Sequence, residues 1–230
     1  MNKKRNLIMM AVACMLTLTV SAQQARQDIR LHVDYAGSNY VAYPGPQKKL
    51  TAAPRGYEPF YISHYGRHGS RFLIGTNDYD KPYNMLLKAD SLGKLTPKGR
   101  DVLAKVKLIR EEARLRDGEL TPLGAEQHRG IAKRMYERFP EVFKGKTAVD
   151  ARSTIVIRCI LSMENELQQL ASMNPQLQIT HDASEHDMWY LNDSRSPYFR
   201  LRDNKETSQA NNEFSRRHDN WNHLMTVLFA

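Results

Sequence analysis

A histidine set between two arginines, Arg67-His68-Gly69-Ser70-Arg71, carries more chemistry than any other stretch of this sequence. Each guanidinium can hold a phosphoryl group through paired, charge-assisted hydrogen bonds. An imidazole between them can attack phosphorus and carry it covalently, splitting one hard displacement into two easier ones. It must be neutral to do so, and neighbouring guanidiniums disfavour its charged form. Arg152 follows Thr147-Ala148-Val149-Asp150-Ala151, a short strand candidate. That places it at a strand-to-helix turn, where open parallel sheets bind ligands. Three cations around one phosphoryl group would stabilise the charge on its equatorial oxygens during transfer. The reading therefore requires Arg67, Arg71 and Arg152 to converge on His68. The arginines supply the positive charge, so it calls for no metal and no cofactor.

Those residues need elements to hold them. Phe60-Tyr61-Ile62-Ser63-His64-Tyr65 reads as a strand that runs into the Arg-His-Gly loop. A weak helical spacing covers Tyr79 to Leu92. Leu95-Thr96-Pro97-Lys98-Gly99 and Leu120-Thr121-Pro122-Leu123-Gly124 share one form. In each, threonine can cap a helix and proline takes the first helical position, where no amide donor is needed. Val102, Val106 and Ile109 give the first helix an apolar stripe; Leu123, Ile131, Met135 and Phe139 give the second one. Ser153 is placed to cap a helix running to about Met173, with Ile157, Ile160, Leu161, Leu167 and Leu170 on its buried side. Leu177 to Thr180 reads as another strand. Strands alternating with helices predict an α/β fold, a largely parallel sheet covered on both faces. Residues 183–230 read as the start of a helical second domain, with a solvated helix within 203–223.

The 230 residues are 41% hydrophobic and 26% charged, a composition able to bury a core. Lys3-Lys4-Arg5, an apolar run from Leu7 to Val20 and the small residues Val20-Ser21-Ala22 read as a cleaved signal peptide over 1–22. Such a run is short of the ~20 residues that span a bilayer. Export to the periplasm or beyond the cell, without stable membrane insertion, is the expectation. Loss of three basic residues lowers the formal charge from +9 to +6, which suits an anionic ligand. No basic helix, zinc pattern or aromatic-glycine sheet motif points to nucleic acid. Only Cys159 remains after the signal, so no intramolecular disulfide can form. Residues 23–55, with Pro44-Gly45-Pro46 and Lys48-Lys49, read as a polar N-terminal arm over a phosphatase α/β domain at 56–182.

The stretch Tyr61-Ile62-Ser63-His64-Tyr65-Gly66-Arg67-His68-Gly69-Ser70-Arg71 resembles the histidine acid phosphatase branch of the histidine phosphatase superfamily, above all bacterial multiple inositol polyphosphate phosphatases. The resemblance spans roughly residues 55–200, through the Leu-Thr-Pro-x-Gly helix starts and the Val149-Asp150-Ala151-Arg152-Ser153 turn. It implies His68 as nucleophile and Arg67, Arg71 and Arg152 as phosphate ligands. It implies an α/β sheet domain joined to a helical domain that shapes the pocket. It also implies phosphomonoesters, and inositol polyphosphates such as phytate, as substrates, with inorganic phosphate as product. Family members carry a second histidine beside an acid on a late strand, and that acid protonates the leaving group. His181-Asp182, His186-Asp187 and His218-Asp219 have the right residue types in the wrong surroundings. The chain is therefore expected to be an incomplete fold that stops ahead of the proton donor, inside the run Leu224 to Ala230.

Two lesser readings remain. One is an impaired phosphate- or polyanion-binding fragment. The other is a phosphotransferase of the mutase type, which the export signal disfavours. His64 is expected to be a strand histidine with a backbone partner, and His128 a residue on a helix face. Trp189, Tyr190, Tyr198 and Phe199 are expected to pack in a core or a domain contact.

Overall fold

The computed structural model describes Gln24, residues 27–36, Val41, residues 51–202 and residues 204–230. It divides into two units, Met1–Lys49 and Leu50–Ala230. The signal reading of 1–22 and much of the arm at 23–55 lie outside the described residues. In the first unit residues 27–31 are helical and Val33–Ala36 forms a 3-10 turn. No described helix is long and apolar enough to cross a membrane.

The second unit runs α1 (Asn77–Ser91), α2 (Pro97–Glu112), α3 (Pro122–Arg138), β1 (Ala148–Ser153), α4 (Ile157–Met173) and β2 (Gln178–Ala183). Short helical turns between 185 and 202 lead to α5 (Lys205–His218) and α6 (Trp221–Leu228). Both threonine caps form as the sequence predicts. The Thr96 hydroxyl accepts from the Gly99 amide at 3.0 Å, and that of Thr121 from the Gly124 amide at 3.1 Å. Each such cap contributes about 1 kcal/mol.

β1 and β2 pair in parallel, Ala148 opposite Gln178 and Ser153 opposite Ala183, with α4 as the crossover between them. The fold is thus mixed α/β with helices beside a parallel sheet. The sheet is covered on one face and not on both. Val149, Ala151 and Ser153 turn inward, while Ala148, Asp150 and Arg152 are exposed. The expected strand at 59–65 joins no ladder. Phe60, Tyr61 and Tyr65 are 91%, 72% and 75% exposed, and a strand needs a partner for its amides.

The core sits between α3 and α4. Ala132, Phe143 and Leu170 are buried together, with Ile62, Met135, Tyr136, Val142 and Leu177 around them. Burying a side chain such as Leu170 contributes roughly 1.5–3 kcal/mol. Buried Asn174 ties the end of α4 to this core, donating to the carbonyls of Phe143 at 2.7 Å and Gly145 at 2.9 Å. The buried line on α3 is Gly124, His128 and Ala132, at helical spacing of four. Leu123 of the predicted stripe is exposed. Small residues let α3 approach α4 closely, which apolar periodicity alone does not register.

α5 carries no buried residue, as expected of a solvated helix. α6 docks on the start of α2 through backbone groups. The Thr96 amide donates to Leu228 O at 3.1 Å, the Ala230 amide to Lys94 O at 2.8 Å, and Leu95 bridges Phe229. Trp189, Tyr190 and Tyr198, expected to be packed, are exposed, and Trp189 meets Tyr190 edge to face. Cys159 is half-buried and free.

Candidate active site

The Arg-His-Gly loop is clamped from both helices that flank the core. The Gly69 amide donates to Ser162 Oγ on α4 at 3.1 Å, and that hydroxyl donates in turn to Arg158 O at 2.8 Å. The Ser70 amide donates to Gln127 Oε1 on α3 at 2.8 Å. Ser70 O accepts from both the amide and the hydroxyl of Thr121, each at 2.9 Å. The hydroxyl that caps α3 therefore also holds the loop. Past the turn, Arg71 bridges Leu120, and the Phe72 amide donates to Glu119 O at 3.0 Å.

Gly69 and Gly124 meet backbone to backbone. A Cβ on Gly69 would strike the Gly124 carbonyl, and one on Gly124 would strike Ser70 O. Neither neighbour is a flexible side chain that could move aside. Gly124→Ala is accordingly expected to destabilise the fold by about 1–3 kcal/mol. Chemical denaturation of the variant beside Gly130→Ala checks this. At Gly130 a Cβ meets the movable end of the Arg134 side chain at 3.2 Å, so a similar loss there would remove the steric reading.

Within the clamp, His68 Nδ1 lies 2.8 Å from the carbonyl oxygen of Gly69. A carbonyl only accepts, so Nδ1 carries the proton and Nε2 carries the lone pair. His68 is half-buried, and its pKa is lowered. Desolvation lowers it most, the Gly69 carbonyl opposes this, and the charges of Arg158, Arg67 and Arg71 lower it further. The neutral, nucleophilic form thus persists into more acidic solution than for a free imidazole.

Of the four residues singled out from the sequence, Arg67, His68 and Arg71 share the loop; the charges of Arg67 and Arg71 act on His68, and Arg71 Nη1 donates to Phe72 O at 2.7 Å. Arg152 is placed elsewhere. Its Nη1 donates to Asp187 at 2.9 Å and its Nε reaches Asp150 at 3.4 Å; Asp187 foremost and then Asp150 raise its pKa. A further guanidinium whose charge acts on His68 is that of Arg158, in the first turn of α4. Its Nε is buried with no hydrogen-bond partner among the described residues. Its Nη1 makes one long contact to Gly118 O at 3.4 Å. A buried guanidinium nitrogen without an acceptor is a group that an oxyanion can complete.

The reason for the exchange is local. Ser153 is still strand, and its hydroxyl donates to Thr154 O at 2.9 Å instead of capping a helix. The strand ends at Ser153 and the chain bends at Ile155 before Val156, the cap residue, which offers no side-chain acceptor. The helix begins at Ile157, which puts Arg158 and not Arg152 in its first turn.

The three His-Asp pairs are engaged away from His68. His181 Nδ1 contacts Glu164 at 2.5 Å, and Asp182 accepts from the Ala183 amide at 2.8 Å. His186 contacts Asp187 at 3.0 Å, and His218 packs on Phe214. Glu166, Ser162 and Gln127, none singled out from the sequence, lie closer to the loop. Among the described residues, no cluster of histidine, cysteine or acidic side chains could hold a metal ion.

No family model and no curated protein matches the chain. Solved structures do. The chain is similar to a multiple inositol polyphosphate phosphatase of Bifidobacterium longum. Over 59% of this chain and 29% of that one, the phosphate complex shows 26% identity with a TM-score of 0.48. The inositol hexasulfate complex shows 25% and 0.46, and the apo form 26% and 0.47, over the same shares. The chain spans less than a third of that protein's length.

Proposed function

We propose that this site hydrolyses phosphomonoesters through a phosphohistidine on His68, with inositol polyphosphates as the substrate class. The observation that carries the reading is the pairing of His68 with Arg158. The imidazole has its Nδ1 proton fixed by the Gly69 carbonyl, and the guanidinium has a buried Nε left without an acceptor. Nε2 attacks phosphorus, and the bond from phosphorus to the ester oxygen breaks. The leaving oxygen takes a proton. Water then attacks the phosphohistidine, the phosphorus–nitrogen bond breaks, and inorganic phosphate departs. Arg67, Arg71 and Arg158 hold the non-bridging oxygens throughout. The residue string 61–71 and the basic charge of the chain support the inositol polyphosphate class. We further read the protein as exported, on the strength of residues 1–22.

A second reading has its own observation. The charges that lower the pKa of His68 are, among the described residues, the guanidiniums of Arg158, Arg67 and Arg71. The chain then binds and accepts a phosphoryl group readily but protonates a leaving group poorly.

Quenching the chain with an aryl phosphate labelled at phosphorus tests the nucleophile. The expected product is a protein-bound label, stable to alkali, lost in acid and absent from His68→Ala. Turnover that proceeds undiminished in His68→Ala would remove the assignment.

A further inference from the structure

Behind the loop, three pieces of chain meet at one carboxylate oxygen. His128, buried on α3, places Nδ1 2.5 Å from Glu166 Oε1. Glu166 lies on α4 with its side chain 14% exposed. His64, in the segment that enters the loop, places Nε2 3.6 Å from the same oxygen. The His64 ring is tucked against Gly66, where an added Cβ would come within 2.9 Å of Nε2. Gly69 and Ser70 are bonded to α4 and α3 directly, but before His68 it is His64 that reaches Glu166, the residue that joins these two helices.

A separation of 3.6 Å is too long for a hydrogen bond, so the His64–Glu166 contact is one of charge. It is present when His64 is protonated and Glu166 ionised. We propose that His64 and Glu166 are positioning residues that hold the start of the Arg-His-Gly loop against α3 and α4 while His64 carries a proton, so that oxyanion affinity falls as pH rises through the titration of His64. The inference rests on the phosphate-site reading above for its ligand.

The charged groups around the cluster are otherwise occupied. On α4, Glu164 is paired with His181, and Arg158 reaches Gly118 O. On α3, Arg129 turns to Asn165, and Lys133 pairs with Glu137. On the entering segment, Arg67 acts on His68. Glu166 is left as the carboxylate that acts on His64. Burial pushes the Glu166 carboxyl upward, but its contacts with His128 and His64 outweigh this and hold it below the usual range. The contact with Glu166 raises the pKa of His64 against a smaller effect of desolvation. A raised pKa fixes the sign: the tie is complete on the acid side and is lost as pH climbs past that raised value.

Sulfate is the probe, since its charge is constant from about pH 5 to about pH 9. Its affinity for the full chain is measured across that range by calorimetry, beside His64→Gln and Glu166→Gln, with the histidine ring protons followed by NMR. The wild-type chain is expected to lose affinity in two steps, one following His68 and one following His64. Both variants should keep the first step and lack the second, with affinity on the acid side about fivefold weaker. In Glu166→Gln the His64 ring should titrate at lower pH than in the wild type. His64→Gln alters a part-exposed side chain, so it remains informative if Glu166→Gln fails to fold. A pH profile unchanged in His64→Gln overturns this inference alone. A wild-type chain that binds no sulfate at any pH overturns the phosphate site with it.

Discussion

Arg158→Ala lowers kcat on an aryl phosphate by about 10²–10³-fold, the usual cost of removing one preorganised group that stabilises transition-state charge. Arg152→Ala changes the same rate by less than about threefold, a fraction of a kcal/mol. The contrast follows from where the two guanidiniums spend their charge. That of Arg152 is held by Asp187 and Asp150. That of Arg158 acts on His68 and has a buried nitrogen to spare. The variants also separate in stability. Arg152→Ala leaves Asp187, a buried carboxylate, without its guanidinium partner, so its melting temperature falls while its rate holds. Steady-state rates with thermal melts of both proteins decide it. A loss in Arg152→Ala as large as that in Arg158→Ala would return Arg152 to the phosphate site.

The identity of the leaving group gives the second large effect. Nitrophenolate departs without help, whereas an inositol alkoxide needs a proton. General acid catalysis is worth about 10²–10⁴-fold. With guanidiniums as the charges that lower the pKa of His68, this chain should turn over nitrophenyl phosphate faster than phytate by about that factor. Phosphate release from both esters under the same conditions reads it directly. Comparable rates on the two esters would show that a proton donor already serves the site.

The loop and its caps were legible because their residues act alone. A threonine ahead of a proline has few other uses, and Thr96 and Thr121 both cap. The Arg67-His68-Gly69 string needs its residue types whatever the fold. Arg158 was hidden because it depends on where a helix begins. Ser153 has the chemistry of a cap, yet its hydroxyl turns to Thr154 O and the helix starts only after a bend at Ile155. That delay puts Arg158 in the first turn of α4 and leaves Arg152 on β1. His128 and Glu166 were hidden for another reason. Buried polar groups on α3 and α4 satisfy one another across a helix interface, a pairing without any periodic trace along the chain. His64 was read as a strand residue, but residues 59–65 have no ladder, and its ring turns to Glu166 instead.

The crossing of Gly69 over Gly124 bears on how the nucleophile comes into being. No side chain lies between the two glycines, so the loop takes its coordinates from the seating of α3 as well as from its bond to Ser162 on α4. An unfolding intermediate in which α3 had lifted from α4 would keep every residue of the constellation and none of its reactivity. Loss of turnover on heating should therefore coincide with release of the α3–α4 pair, whether or not the exposed helix α5 has already melted.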